Sequence, residues 1–260
     1  MTNIFAEIPI YFLSAIIFFL ILLFNWFGFK FKKWHLEKYP GRVPEHLGSV
    51  EGSMLGATAL LLGFTFSIAV SKFETRREIT VEEANEIGTA ILRCDMYPDS
   101  VRNPLRADFK EYLETRIAYY EAGSDEQKIK HEIAKAGEIS DRIWKRVSGQ
   151  AQNRDNLSAT AQMTPAINDM IDIVTTRDAG RISRVPRLVL WVLLALVLIS
   201  SFVLGSDYNG KKRNRILIFS YALAMTITLD LITELDRPRE GLINLNAVEQ
   251  KMRDLREIVK

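Results

Sequence analysis

Two acidic residues at the end of the last apolar segment are the most suggestive pair in the sequence. Asp230 and Glu234 are four residues apart, so they share one face of a helix. An acid at membrane depth usually faces protein or water, and it is a functional hypothesis by default. One interpretation is a ring of acids along an ion path. The other is a salt bridge to Lys72, Arg76 and Arg77, and both interpretations stay open.

A second candidate site lies on the second apolar segment. Two pairs of small residues, beginning at Gly52 and Ala59, have the spacing that permits close approach of membrane helices. Gly56, Leu60 and Phe64 follow one another at intervals of four residues. Repeated around a symmetric ring, this stripe would form a hydrophobic constriction that gates by dewetting. Periodicity alone favours packing or lipid contact over a pore.

Catalytic and metal-binding motifs are absent from the sequence. His35, His46 and His131 do not have the spacing of a zinc site, and Cys94 is the only cysteine. There is no glycine-rich phosphate loop, no nucleophile elbow and no dinucleotide-binding fingerprint. We therefore predict that the protein is not an enzyme and binds no cofactor and no metal.

Four stretches without any Asp, Glu, Lys or Arg position the candidate residues. They are residues 8–29, 52–71, 188–206 and 216–229. A helix needs roughly 20 apolar residues to cross about 30 Å of hydrocarbon, and the fourth stretch reaches that length, to about residue 235, if its two acids are tolerated. The mean hydropathy of +0.01 conceals this segregation. The pattern excludes an ordinary soluble globular enzyme and predicts a multi-pass membrane protein.

The first apolar stretch is predicted to be a retained helix. It is longer than the apolar part of a signal peptide, no basic region precedes it, and no small-residue cleavage site follows it. The predicted organisation is therefore a membrane hairpin, a helical soluble domain, a second membrane hairpin and a tail, at residues 1–71, 72–187, 188–235 and 236–260. The fold class is an all-α membrane protein with four transmembrane helices.

Apolar residues at helical spacing, without strand alternation, predict helices throughout residues 72–187. The second span continues as a helix whose tail is closed by Pro98, and the next helix runs from about Asp99 to Glu121. Ser124 is predicted to cap a third helix, with Gln127 at the capping-box position. Thr164 before Pro165 is predicted to start a fourth helix, because proline fits the first helical turn.

Charge gives little information about partners or sidedness. The net charge of +2 and the lack of a long basic run argue against a nucleic-acid partner. Equal numbers of basic residues flank the spans on the two sides of the membrane, so the positive-inside rule gives a tie. The near absence of charge before residue 8 tilts the count towards an external N-terminus.

Several short motifs resemble those of a known family. Leu62-Gly63-Phe64, followed eight residues on by Lys72-Phe73, is similar to the Leu-Gly-Phe…Arg-Trp stretch in the pore-lining helix of the bestrophins. The chain as a whole more closely resembles the bacterial bestrophin-like membrane proteins. Their marks here are Phe73-Glu74, Glu83-Ala84-Asn85-Glu86-Ile87-Gly88-Thr89-Ala90, Leu92-Arg93 and Leu235-Asp236-Arg237-Pro238-Arg239-Glu240-Gly241. The layout matches over essentially the whole chain.

The resemblance implies an ion channel. Bestrophins are pentamers with a hydrophobic neck on this helix, so it implies a homopentamer in the lipid bilayer that passes an inorganic ion along its fivefold axis. Phe64 matches the aromatic neck position, Leu60 is a bulky substitute, and Gly56 departs from the bulky apolar residue of the family. No acidic calcium clasp follows Gly241. The resemblance also implies a bacterial inner-membrane protein whose helical domain is cytoplasmic, against the charge count.

A non-conducting membrane-anchored sensor or scaffold is the alternative function. In this alternative the spans only anchor and oligomerise the chain, and the helical domain binds a partner. The two functions give Phe64 different roles, because a neck residue controls flux whereas a core residue controls stability.

Overall fold

The computed structural model describes residues 10–39, 48–206, 214–237 and 241–259, and within them every regular element is helical. The α-helices are α1 (Ile10–Lys38), α2 (Gly48–Arg93), α3 (Asp99–Glu121), α4 (Glu126–Ser148), α5 (Leu157–Ile182), α6 (Arg187–Ser206), α7 (Arg215–Asp236) and α8 (Asn246–Asp254). The predicted start of the first span at residues 8–9 and residues 238–240 of the C-terminal family motif lie outside the described residues.

Four helical stretches in this described part are long and apolar enough to cross a membrane. They are Tyr11–Lys38, Glu51–Met96, Arg154–Ser206 and Arg215–Asp236. The predicted fold class, an all-α membrane protein with four spans and an inserted helical domain, is confirmed.

The chain forms two compact units. The membrane unit comprises the described parts of residues 1–71 and 184–237, and the helical unit comprises those of 72–183 and 238–260. Helix α2 contributes residues to both units. The C-terminal residues, predicted as a tail, contribute α8 to the helical unit, and its Met252 is buried in the core of that unit.

The membrane unit is organised around the contact of α1 with α6 and α7. The α1–α6 contact is close because glycines face the opposing backbone. A Cβ atom added to Gly28 would lie 1.9 Å from the Phe202 carbonyl oxygen, and one added to Gly205 would lie 2.0 Å from that of Asn25. Two hydrogen bonds cross the same contact: the Asn25 amide donates to the Ser201 carbonyl at 3.1 Å, and the Ser201 hydroxyl donates to the Ile21 carbonyl at 2.8 Å.

The helical unit has a core of large apolar and aromatic side chains contributed by α2, α3, α4 and α5. Helix α3 has the predicted bounds, and Gly123 ends the turn after it with a φ of 56°, a conformation that glycine adopts without strain. Helix α2 ends at Arg93, and a 3₁₀ turn, Cys94–Met96, separates it from Pro98, which precedes α3.

Two predicted helix starts in this unit are wrong. Asp125, not Ser124, caps α4, because its carboxylate accepts from the backbone N–H groups of Gln127 and Lys128. Pro165 lies inside α5 rather than at its start. Its side chain is exposed, and Met163 and Ala166 beside it are buried, so packing of the opposite face sustains the helix despite the lost backbone hydrogen bond.

Candidate functional site

The predicted neck residues share one exposed face of α2. The side chains of Leu60 and Phe64 are both 60% exposed, and Gly56 is exposed one turn earlier. A Cβ atom added to Gly56 or Gly63 would meet nothing within 4 Å in this chain. Among the described residues of one chain the stripe therefore has no covering element. Its small residues make no close helix contact there, and Gly28 and Gly205 make such a contact instead.

The opposite face of α2 is buried in the membrane unit. Thr58, Leu62, Thr65 and Ala69 are buried at intervals of three or four residues. Leu62 is two residues from Leu60, and two residues at 3.6 per turn correspond to about 200° of rotation. The Thr58 hydroxyl lies 3.0 Å from the Ser200 hydroxyl of α6, which joins α2 to the other helices of the unit. The buried stripe thus fixes the orientation of α2, and the stripe that contains Leu60 and Phe64 stays exposed.

The exposed stripe changes from apolar to hydroxyl side chains along the helix. Ser67 and Ser71 continue the face of Leu60 and Phe64 at helical spacing, and both are exposed. Hydroxyl groups form hydrogen bonds with water, whereas lipid tails offer them no partner. The stripe therefore combines a bulky apolar section with a section of small polar side chains.

Lys72 and Arg76 secure the C-terminal end of α5. The Arg76 guanidinium donates from Nε to the Gly180 carbonyl at 3.1 Å and from Nη2 to the Ser183 carbonyl at 2.6 Å. Lys72 Nζ donates to the Ser183 hydroxyl at 2.7 Å. Carbonyl groups at the end of a helix have no partner within the helix, and Arg76 supplies one, while Lys72 bonds to the Ser183 side chain beside it. Both residues therefore have a structural function within the helical unit.

Asp230 and Glu234 lie near the end of α7 in the membrane unit. The Asp230 carboxylate is half-buried near Ser14 of α1. Glu234 is only 7% exposed. Both acids thus face protein within this unit rather than its exposed surface. The predicted ion pair with Lys72 and Arg76, which belong to the helical unit, stays a prediction.

A buried charged cluster in the helical unit was not predicted from the sequence. Glu83 of α2 and Arg116 of α3 are both 0% exposed, and Arg116 Nε lies 2.5 Å from Glu83 Oε1. Arg177 of α5 is 3.2 Å from Glu83 Oε2, and the Tyr120 hydroxyl donates to the same oxygen. The guanidinium carbon of Arg177 lies 4.0 Å from the centre of the Tyr120 ring. This buried cluster (Glu83, Arg116, Arg177 and Tyr120) joins three helices.

Electrostatic interactions shift the pKa values of Glu83 and Glu86, one turn apart on α2, in opposite directions. Burial by itself would raise the pKa of Glu83, but the charges of Arg116 and Arg177 outweigh it and lower that pKa. Burial and the nearby carboxylates of Glu82, Asp169, Glu83 and Asp172 raise the pKa of Glu86 to about 7. Glu86 Oε2 is buried without a hydrogen-bond partner among the described residues. Glu83 is therefore ionised at neutral pH, and Glu86 is partly protonated.

The sequence does carry a signal for the buried cluster. Glu83 falls in the helical stripe of Thr80, Ala84 and Ile87, and Arg116 falls in the stripe of Tyr112 and Tyr120. A charged residue at a position where a helix otherwise buries apolar side chains indicates a buried ion pair, since an unpaired buried charge is too costly.

The described residues contain no group of His, Cys, Asp and Glu side chains arranged to hold a metal ion. Cys94 is fully buried, and burial raises the pKa of its thiol to about 12. A thiol with so high a pKa is a poor nucleophile at neutral pH. The described residues offer a membrane-helix surface and structural ion pairs.

Comparison with known proteins identifies the family. The bestrophin-like domain matches residues 15–248. The chain belongs to the bestrophin-like family. A bacterial bestrophin homologue from Klebsiella pneumoniae superposes on this bestrophin-like chain with a TM-score of 0.73 and 13% sequence identity, covering 94% of this chain and 98% of that one.

Two further structures have a similar fold. A variant of the Klebsiella pneumoniae homologue gives a TM-score of 0.70 at 14% identity, covering 95% of this chain and 96% of its own. A crystal structure of a membrane protein gives 0.68 at 15% identity, covering 93% and 97% respectively. No curated protein is significantly similar in sequence to this chain. The family resemblance inferred from the motifs is therefore confirmed, and the protein is an integral membrane protein with the bestrophin fold.

Proposed function

We propose that this bestrophin-like protein is an ion channel formed by a homopentamer, with α2 lining a pore on the fivefold axis. The observation that carries the proposal is the exposed stripe of α2, in which Leu60 and Phe64 are both 60% exposed in a single chain. Membership of the bestrophin-like family supports the same assignment.

Leu60 and Phe64 form the proposed neck. Rings of bulky apolar side chains narrow a pore and exclude water, which blocks hydrated ions until the ring widens. Gly56 contributes no side chain, so the neck has two apolar rings rather than three. Ser67 and Ser71 continue the stripe and would line a wetter section of the same path.

Matched alanine substitutions on opposite faces of α2 test the proposal. Leu60→Ala removes a neck side chain, whereas Leu62→Ala removes the same side chain from the buried face two residues away. Flux is measured from liposomes under separate chloride, sodium and potassium gradients. We expect Leu60→Ala and Phe64→Ala to raise flux and Leu62→Ala to lower stability without raising flux. Phe219→Ala removes an exposed aromatic ring from α7 and controls for a general effect on membrane contact.

If wild type and both neck variants, shown to be folded and oligomeric, pass no ions, the channel proposal is contradicted. The non-conducting sensor or scaffold would then be the better assignment, with the helical unit as the binding part. The oligomeric mass, measured by light scattering in detergent, separately tests the pentamer.

For the two acids we infer a structural role in the membrane unit rather than a ring along the ion path. The partial burial of Asp230 near Ser14 and the burial of Glu234 support this role. Asp230→Asn and Glu234→Gln should lower the melting temperature and leave the cation-to-anion permeability ratio unchanged. A changed ratio in a stably folded variant would restore the ion-path interpretation.

We propose that the helical unit faces the cytoplasm of a bacterial inner-membrane protein. Cys94 cannot report on sidedness because its side chain is fully buried. A Cys94→Ser protein carrying Ser124→Cys offers a thiol in the turn between α3 and α4 instead. In intact cells a membrane-impermeant maleimide should leave this thiol unlabelled until the cells are lysed. Labelling of intact cells would place the helical unit outside.

A further inference from the structure

A pocket in the membrane unit combines an apolar wall with arginine side chains. The wall includes Leu13 of α1, Leu190 of α6 and Leu229 of α7. The polar end includes Arg184, Arg187 and Arg237 together with the carboxylate of Asp236. Arginine therefore outnumbers acid at this end of the pocket.

The polar and apolar parts of the pocket are separated along the helix axes. Helix α6 begins at Arg187, and Leu190 and Leu194 follow about one and two turns later. Helix α7 ends at Asp236, and Leu229 lies about two turns before that end. At 1.5 Å per residue, the apolar wall extends about 10 Å from the arginines along the spanning helices. This arrangement matches a molecule with a charged head and a hydrocarbon tail.

The end of α7 holds the arginine-bearing segment in place. Asp236 Oδ1 accepts a hydrogen bond from the Val185 backbone N–H at 2.8 Å, and Val185 is buried. The side chains of Arg184 and Arg187 on either side of this bond are exposed, and neither forms an ion pair with any carboxylate in the described parts of the chain. Two cations are thus presented from an ordered backbone, and neither is ion-paired within the described parts of the chain.

We propose that this pocket binds an anionic glycerophospholipid, with the phosphate between Arg184 and Arg187 and one acyl chain along the apolar wall. A guanidinium group binds phosphate oxygens with two parallel hydrogen bonds. Arg184 and Arg187 lie three residues apart at the end of a span, so both can contact one phosphate. A zwitterionic lipid brings the same chains, but its cationic headgroup opposes the arginines. Charge complementarity therefore selects the anionic class. The site does not depend on whether the protein conducts ions.

Lipid titration with native mass spectrometry tests the site. Delipidated full-length protein in detergent is titrated with phosphatidylglycerol and, separately, with phosphatidylcholine of the same acyl chains. The test variant is Arg184→Gln with Arg187→Gln. The matched control is Arg215→Gln, which removes an exposed arginine at the other end of α7. We expect the double variant to bind phosphatidylglycerol at least about tenfold more weakly, the control to bind like wild type, and phosphatidylcholine to bind weakly throughout.

Three outcomes would overturn the proposal. They are equal phosphatidylglycerol binding by wild type and the double variant, equal binding of the two lipids by wild type, and displacement of the lipid by equimolar glycerophosphate. The last would indicate a site for free phosphate, with no part played by the apolar wall. If the double variant does not fold, Arg187→Lys is used instead, because it keeps the charge but loses the bidentate hydrogen bonds to phosphate. It should then bind phosphatidylglycerol measurably more weakly than wild type.

Discussion

The membrane unit and the helical unit bury polar groups in different ways. In the membrane unit, α1 and α6 meet through glycines, and the buried polar partners at this contact are the neutral Asn25 and Ser201, whereas the buried charged residues of the unit lie at the end of α7. In the helical unit, Glu83 and Arg116 are fully charged and fully buried among large apolar and aromatic side chains.

The difference follows from the solvent around each unit. Lipid tails are as apolar as leucine, so membrane helices associate through close packing and hydrogen bonds rather than through the hydrophobic effect. Glycine permits that approach. In water, burial of apolar surface drives folding and contributes about 25 cal/mol per Å². A large core can therefore also hold an ion pair whose opposite charges neutralise each other. The helices of the membrane unit are therefore held together by close backbone contact, and those of the helical unit by side-chain packing.

Removing the charge of Glu83 should have the largest effect on the helical unit. Glu83→Gln leaves two buried guanidinium groups without a counter-charge, and breaking a buried pair in this way typically costs about 3–5 kcal/mol. Glu82→Gln is the matched control, because Glu82 is exposed at the adjacent position. Chemical denaturation followed by fluorescence measures both variants. Equal losses in the two would show that the buried cluster contributes no special stability.

Adding a methyl group at Gly205 should separate the membrane helices. The new Cβ atom would lie 2.0 Å from the Asn25 carbonyl oxygen, so α1 and α6 must move apart and weaken the hydrogen bonds between them. We expect Gly205→Ala to cost about 1–3 kcal/mol, seen as a lower melting temperature in detergent. Gly52→Ala is the control, since nothing lies within 4 Å of its Cβ position. A melting temperature for Gly205→Ala as high as that of the control would refute close backbone packing.

Glu86 should make the stability of the helical unit depend on pH near neutrality. Its pKa is about 7 in the folded protein, above the ordinary value of 4.5, so the folded chain retains a proton that the unfolded chain releases. Stability should therefore decrease as pH rises from about 4.5 to about 7. Glu86→Gln should flatten this decrease in denaturation curves recorded from pH 5 to 8. The exposed Glu78→Gln variant should retain the wild-type slope, and an unflattened Glu86→Gln curve would contradict the assignment.

The smallest effect is expected at the exposed ion pair between Arg256 and Glu114. Arg256 Nη2 lies 2.6 Å from a Glu114 oxygen, but both side chains are about half exposed. Exposed pairs contribute about 0–1 kcal/mol because water and salt screen them. Arg256→Ala should change the free energy of unfolding by less than 1 kcal/mol, and high salt should abolish the difference. A loss comparable to that of Glu83→Gln would show that exposure does not separate these two kinds of pair.

The sequence by itself determined the helical class, the four spans and the bounds of α3. These features depend on local periodicity and on residues such as Pro98 and Gly123, whose backbone preferences act over a few positions. The motifs of α2 and the C-terminal segment also sufficed to indicate the family, which the match to residues 15–248 confirms.

Tertiary structure decided which side chains meet. Glu83, Arg116 and Arg177 are distant in sequence, and only the packing of α2, α3 and α5 brings them together. The cap at Asp125 was settled by competition between two adjacent acceptors, Ser124 and Asp125, for the same backbone N–H groups, and the interior position of Pro165 by burial of a helix face. Sequence periodicity states that a face will be buried, but the partner of that face depends on long-range packing, which no local pattern encodes.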